Sequence, residues 1–244
     1  VDRSKGAVMA ALVPNVKGAI RAAEAGVDEM IVFVSASESH NKKNVNRTVD
    51  ESLAGFAQVA KIAEEAKIPV SAAIATSFGC PFEGNVPAER LGYVAKHFVD
   101  FGFKSVALGD TTGMATPPLV TRNVRYLKEH VPSLPIHLHF HNTRGIGLVN
   151  VVAGLDEGVT HFDSSFGGAG GCPFAPKATG NICTEDLVYL MNEMGIETGI
   201  DLGKLMKIAS IVEEALEHPL PGQVMKAGPR LDLHDMGDVQ TAVG

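Results

Sequence analysis

Little in this sequence points to a membrane, an oxidising compartment or nucleic acid. No apolar run reaches the ~18 residues of a membrane span, and the opening Val1-Asp-Arg-Ser-Lys-Gly6 does not read as a signal peptide. The three cysteines, Cys80, Cys172 and Cys183, are an odd number and too few for a disulfide framework, so free thiols in a reducing compartment are expected. Basic residues number 21 against 28 acidic ones, and the formal net charge of −7 argues against nucleic acid as the main partner. Low-complexity segments are also missing. What is left is an ordinary globular composition, 45% hydrophobic and 20% charged, in 244 residues: one large domain, expected to be cytoplasmic.

Strand and helix patterns alternate along the chain. Ala7–Val13 is a continuous apolar run closed by Pro14-Asn15 and reads as a strand buried on both faces. A helix over 16–25 stops at Gly26, and Glu29–Val34 is the next strand. A polar loop, Ser35–Arg47, precedes Thr48-Val-Asp-Glu51, a capping box opening a helix to about Ala66. Further strands are expected at Ile68–Ala75, Ser105–Gly109, 135–141 and His161–Ser164, with Pro87 as the first residue of the helix between the first two. Helices near Thr184–Met194 and Asp201–Glu217 follow, dividing the chain into a catalytic domain over 1–217 and a tail over 218–244. Six alternations, with strands too apolar to be open edges, call for a parallel sheet covered by helices. Polar, chemistry-bearing residues follow the strands all round, as on the catalytic face of a (β/α)₈ barrel, whereas a doubly wound sheet would gather them at one switch point. The barrel reading leaves a shortfall, six βα units where eight are needed.

Pro135-Ile-His137-Leu-His139-Phe-His141-Asn-Thr-Arg-Gly145 is the most informative stretch. Alternation along a strand puts His137, His139 and His141 on one face. Imidazoles two residues apart sit roughly 6.5–7 Å apart at Cα, close enough to converge on one ion. Partly buried histidines bonded to neighbours are the plainer alternative; two of them at a strand exit favour a metal. Three weaker signals fail. Gly145-Ile-Gly147-Leu-Val-Asn150 lacks the third glycine of a dinucleotide fingerprint, although Asp163 lies near its acidic position. Ser165-Phe-Gly167 lacks the first glycine of a nucleophile elbow. The glycine cluster 167–171 reads as a lid before it reads as a phosphate cradle.

Several segments together carry a resemblance. They are Pro14-Asn-Val-Lys-Gly18, Ser37-Glu-Ser39 with Lys42-Lys-Asn44, Gly79-Cys-Pro-Phe-Glu-Gly84, Leu108-Gly-Asp110-Thr, the histidine strand, Gly170-Gly-Cys172-Pro-Phe174, and Thr179-Gly-Asn181 with Thr184-Glu-Asp-Leu187. Over nearly its whole length the chain resembles hydroxymethylglutaryl-CoA lyases, metal-dependent (β/α)₈-barrel enzymes related to Claisen condensing transferases. The resemblance implies cleavage of a 3-hydroxy-3-methylglutaryl-CoA-like thioester to acetyl-CoA and a keto acid. It implies a divalent ion, Mg²⁺ or Mn²⁺, held by His139, His141 and Asn181. It makes Asp110 an active-site carboxylate, His139 a possible proton carrier and Cys172 the loop thiol. Asn44 and Lys43 would contact coenzyme A, with Lys42 and Arg47 adding positive charge for its phosphates. A homodimer is implied, and no nucleic acid or membrane partner.

Two departures stand out. The family's His-x-His-Asp-Thr-Tyr-Gly is here His139-Phe-His141-Asn142-Thr143-Arg144-Gly145, and an arginine replacing an aromatic residue could pair with an additional carboxylate or polar group, which leaves the acyl group open. The Arg-Asp pair before Gly-Leu on the family's first strand has no counterpart here, and Ala7–Val13 matches the third βα unit. The expectation is an incomplete barrel starting at that unit, inactive or poorly soluble on its own and restored by upstream residues.

Overall fold

The computed structural model describes residues 6–171 and 180–233. They fall into two compact units, one made of residues up to 163 with 170–171 and 180–182, the other of 164–169 and 183–233.

The first unit runs β1 (Ala10–Leu12), α1 (Val16–Ala25), β2 (Glu29–Ser35), α2 (Glu38–Val45), α3 (Val49–Ala66), β3 (Val70–Ala75), α4 (Ala88–Asp100), β4 (Val106–Asp110), α5 (Pro117–His130), β5 (Ile136–Phe140), α6 (Gly147–Asp156) and β6 (Phe162–Asp163). All pairings are parallel and the strand order is β1-β2-β3-β4-β5-β6. Among the described strands spatial order follows chain order with no reversal, so they contain no switch point. That is barrel-type winding and not a doubly wound sheet. The described residues supply six of the eight strands that close such a barrel.

Local chemistry sets the helix ends. Asn15 Oδ1 accepts from Gly18 N at 3.0 Å to start α1, and Gly26 ends it at φ 65°. At α3 the expected capping box forms: Glu51 N donates to Thr48 Oγ1 at 3.0 Å and Thr48 N donates to Glu51 Oε2 at 2.8 Å. A row of fully buried aliphatic residues, Val34, Ile74, Leu108 and Leu138, runs across β2 to β5 in register. Each such side chain contributes roughly 1.5–3 kcal/mol on burial. Gly154 of α6 lets Leu138 close on that helix, since a Cβ there would collide with Leu138 Cδ1. The odd-numbered residues of β5, His137 and His139, therefore face away from the helical layer.

Four local expectations change. The polar stretch 35–47 is not all loop; it contains α2. Asn41, buried, accepts from Ser35 N at 3.1 Å, and its Nδ2 reaches Arg47 O at 3.0 Å, Thr48 O at 2.9 Å and Ser52 Oγ at 2.9 Å. A single amide satisfying several loop groups organises a segment that has no apolar periodicity to announce it. Second, Pro87 is the N-cap of α4 and not its first helical residue. Third, β1 is three residues long, and Leu12 is 67% exposed and Val8 68% exposed. Hydrophobicity stated what this run prefers, but burial requires a neighbour, and β1 pairs only with β2 among the described residues. Fourth, the tail beyond residue 217 holds a short helix.

In the second unit a 3₁₀ turn at Phe166–Gly168 precedes α7 (Thr184–Glu193), α8 (Leu202–Leu216) and α9 (Val224–Ala227). Glu185, fully buried, accepts from Gly167 N at 2.8 Å and from Cys183 Sγ at 2.5 Å. Burial, then this bond, pushes the Cys183 thiol far up, which disfavours the thiolate. Asp186 accepts from Val224 N at 2.7 Å, starting α9. No helix among the described residues is long and apolar enough to cross a membrane.

Candidate active site

The site is built at the exits of β4 and β5. Parallel register sets Gly109 beside His139 and Asp110 beside Phe140. The glycine matters here: a Cβ at position 109 would press to 3.2 Å on Ile74 O. On the other side β6 contributes only two residues, but its register places Asp163 directly beside His139.

Asp163 Oδ2 lies 3.1 Å from His139 Nδ1. A carboxylate accepts, so this bond favours the ring proton on Nδ1 and turns Nε2 toward His141. Nε2 of His139 stands 3.3 Å from Nε2 of His141. Two nitrogens at that separation subtend about 100° at an ion bonded to each at about 2.1 Å, an ordinary angle between neighbouring ligands. Beyond the strand the chain returns alongside it. Ile182 N donates to Phe140 O at 3.1 Å and Asn142 N donates to Gly180 O at 3.0 Å, which sets Asn181 opposite His141 in an antiparallel bridge. Among the described residues no cluster of three His, Cys, Asp or Glu forms a metal site. The residues that could hold an ion are the two imidazoles and, on the bridged segment beside His141, the Asn181 amide oxygen, with Asp163 behind one imidazole. Mixed N/O donors of this kind suit Mg²⁺ or Mn²⁺, unlike the closed N/S shell of structural zinc.

The third histidine of the row goes elsewhere. The His137 ring stacks on His161, with centroids 4.8 Å apart and planes at 11°. Burial, then His161, lowers its pKa. Alternation alone placed three histidines on one face; only two of them meet.

Asp110 is 2% exposed, and its Oδ1 accepts from Met114 N at 2.7 Å and Ala115 N at 2.9 Å. Burial raises its pKa to about 7, against the opposing pull of the two amides, Arg144 and His139. A carboxyl in that range can both take and return a proton near neutrality. Arg144 bonds the turn following Asp110 through two carbonyls, Thr112 O at 3.0 Å and Gly113 O at 2.6 Å. Gly113 has φ +60°, and a Cβ on it would stand 2.5 Å from Thr143 Cβ, so the β4 and β5 turns interlock.

Lys43 and Asn44 lie on α2. Lys43 is exposed, with Nζ 4.8 Å above the Phe82 ring, and Asn44 is half-buried. The β2 and β3 loops are tied together by Ser39 N donating to Glu83 Oε1 at 2.6 Å and Ser37 Oγ donating to Cys80 Sγ at 2.9 Å. Cys172 lies outside the described residues. The residue that sequence reasoning misplaced is Asp163, read only as the acid of a failed dinucleotide motif. Its one sequence signal was its position at the exit of the last strand.

The chain matches the HMGL-like family model over residues 2–212. It is 44% identical over 223 residues to a hydroxymethylglutaryl-CoA lyase of Bacillus subtilis, covering 91% of this chain and 75% of that protein. It is 43% identical over 219 residues to an (R)-citramalyl-CoA lyase of Chloroflexus aurantiacus, covering 90% and 69%. In three dimensions it is similar to an HMG-CoA lyase from Acinetobacter baumannii solved with coenzyme A and 3-methylmalate. That match has a TM-score of 0.92 at 43% identity and covers 97% of this chain and 77% of the other.

Proposed function

Because the chain belongs to the HMGL-like family, we propose that it is a divalent-metal-dependent carbon–carbon lyase acting on a 3-hydroxy-3-methylglutaryl-CoA-like thioester. The reaction is a retro-Claisen cleavage. The tertiary hydroxyl at C3 loses its proton, the C2–C3 bond breaks, C3 becomes a ketone, and the electron pair stays on C2 as the thioester enolate. Protonation of C2 then gives acetyl-CoA.

The observation that carries this reading is the facing pair of Nε2 atoms on His139 and His141, 3.3 Å apart at a strand exit. His139, His141 and Asn181 would hold a divalent ion, which would supply Lewis acidity to the hydroxyl and a template for the substrate oxygens. Asp110 is the group suited to receive the hydroxyl proton, since burial lifts its pKa to about 7. Asp163 holds the His139 ring in the tautomer that presents Nε2. Cys172, assigned from the sequence motif, is the candidate acid for C2. Lys43 and Asn44, on the α2 helix that Asn41 braces, are assigned to coenzyme A, with Lys43 offering charge to phosphate.

The (R)-citramalyl-CoA lyase matches nearly as well as the hydroxymethylglutaryl-CoA lyase does. Citramalyl-CoA keeps the tertiary alcohol but has an acid arm shorter by one methylene, and its keto acid is pyruvate instead of acetoacetate. Both thioesters therefore belong in the assay. The relatives named above are lyases, which does not favour a condensing transferase.

Two measurements test the proposal. Calorimetric titration with Mn²⁺ should give one site per chain, weakened at least ~10-fold in His139→Ala and in His141→Ala. Acetyl-CoA release should follow from one of the two thioesters, assayed with any residues that precede Val1 in the gene. Absence of a Mn²⁺ site, or release of free CoA in place of acetyl-CoA, would overturn the reading.

A further inference from the structure

The guanidinium of Arg144 is held in place by backbone. Its Nη1 alone makes both bonds, to Thr112 O at 3.0 Å and Gly113 O at 2.6 Å. The Gly113 peptide continues as the Met114 N–H that bonds Asp110 at 2.7 Å. One turn therefore fixes both the arginine and the carboxyl group, and the Arg144 charge acts on Asp110. Among the described residues, Nε and Nη2 of Arg144 carry no hydrogen bond or ion pair, and the residue is exposed. Those two nitrogens form the planar fork that matches a carboxylate in bidentate geometry.

Anchoring also matters energetically. An arginine normally loses rotamer freedom when it binds an anion, and one already pinned through Nη1 loses less. A pinned fork discriminates by reach: an acid arm of the right length meets it, and one a methylene shorter or longer does not. A lysine would have neither the fork nor the pin.

We propose that Nε–H and Nη2–H of Arg144 bind the free carboxylate of the acyl group, making Arg144 a specificity-determining residue for 3-hydroxyacyl-CoA thioesters that carry a second acid. The proposal rests on the lyase reading for the identity of the acyl class.

The test compares two thioesters by calorimetry in the presence of chelator, so that neither is cleaved. They are 3-hydroxy-3-methylglutaryl-CoA and 3-hydroxy-3-methylbutyryl-CoA, which lacks the second carboxylate. Wild-type protein is expected to prefer the acid by at least about tenfold, the size of a charge-assisted hydrogen bond. Arg144→Gln should remove the preference while affinities for 3-hydroxy-3-methylbutyryl-CoA and free CoA hold, and Arg144→Lys should keep only part of it. Three outcomes overturn the proposal: no preference in the wild type, a preference that survives in Arg144→Gln, or an equal loss for both thioesters. The last would make Arg144 a strut for the β4 turn only. Failure of the lyase reading would show separately, as no acetyl-CoA from either acid thioester when metal is restored, whatever the binding preference.

Discussion

His139 and Asp163 occupy directly paired positions of β5 and β6, with Nδ1 and Oδ2 3.1 Å apart. The bond links a two-residue strand to the site. Asp163 is half exposed and is not placed as a ligand, so its effect runs through the ring it holds. Asp163→Ala should lower Mn²⁺ affinity about 10- to 100-fold, the usual scale for losing a partner of a ligating histidine. Asp163→Asn, which can still accept from Nδ1, should lose less. Calorimetric titration measures both, and wild-type affinity in Asp163→Ala would remove the orienting role.

The row of histidines gives a contrast within one strand. His139→Ala and His141→Ala should each weaken Mn²⁺ binding by at least ~10-fold. His137→Ala should leave the titration unchanged, because that ring is engaged with His161. The reverse pattern would mean that the site lies one residue pair deeper.

His40 makes stability depend on pH. It is fully buried, with Nδ1 2.6 Å from Ser35 Oγ and, among the described residues, no partner for Nε2. Burial, then the Lys43 charge, lowers its pKa below the ordinary 6.5. Between the lowered folded value and 6.5 the unfolded chain binds more protons than the folded one, so stability rises with pH through that window. The contribution is fully present above 6.5 and is lost as pH falls toward the folded value. Urea unfolding from pH 5 to 8 should show a decline on the acid side, and His40→Phe should flatten it. An unchanged slope in that variant would assign the decline to other groups.

Gly113→Ala should destabilise by about 2 kcal/mol or more. The left-handed backbone costs about 1 kcal/mol for a residue with a Cβ, and crowding of a packed neighbour adds a similar amount or more. The neighbour is Thr143, 2.5 Å from the added carbon. Since this turn also carries the carbonyls that bind Arg144, the thioester preference should fall together with the urea midpoint.

Much of this protein was legible along the chain. Local backbone physics decided the alternation of strands and helices, the capping box at Thr48 and the left-handed stop at Gly26, because each depends on residues within a turn of one another. Strand alternation likewise put His139 and His141 on one face. Contacts that join distant segments were not legible. No spacing within β5 could separate His137 from its two neighbours; His161, 24 residues on, did so by offering a ring to stack on. The partnership of Asp163 with His139 came from the register of β6, and the α2 helix from a buried Asn41 amide whose acceptors lie between positions 47 and 52. Arg144 was visible as a departure from a motif, but only the packed β4 and β5 turns decided that its Nη1 would be taken by carbonyls and its fork left open. Sequence fixes the local conformational preferences and which face each side chain takes. Which side chains meet depends on strand register and on loops closing across the sheet, and those are set by packing of the whole unit.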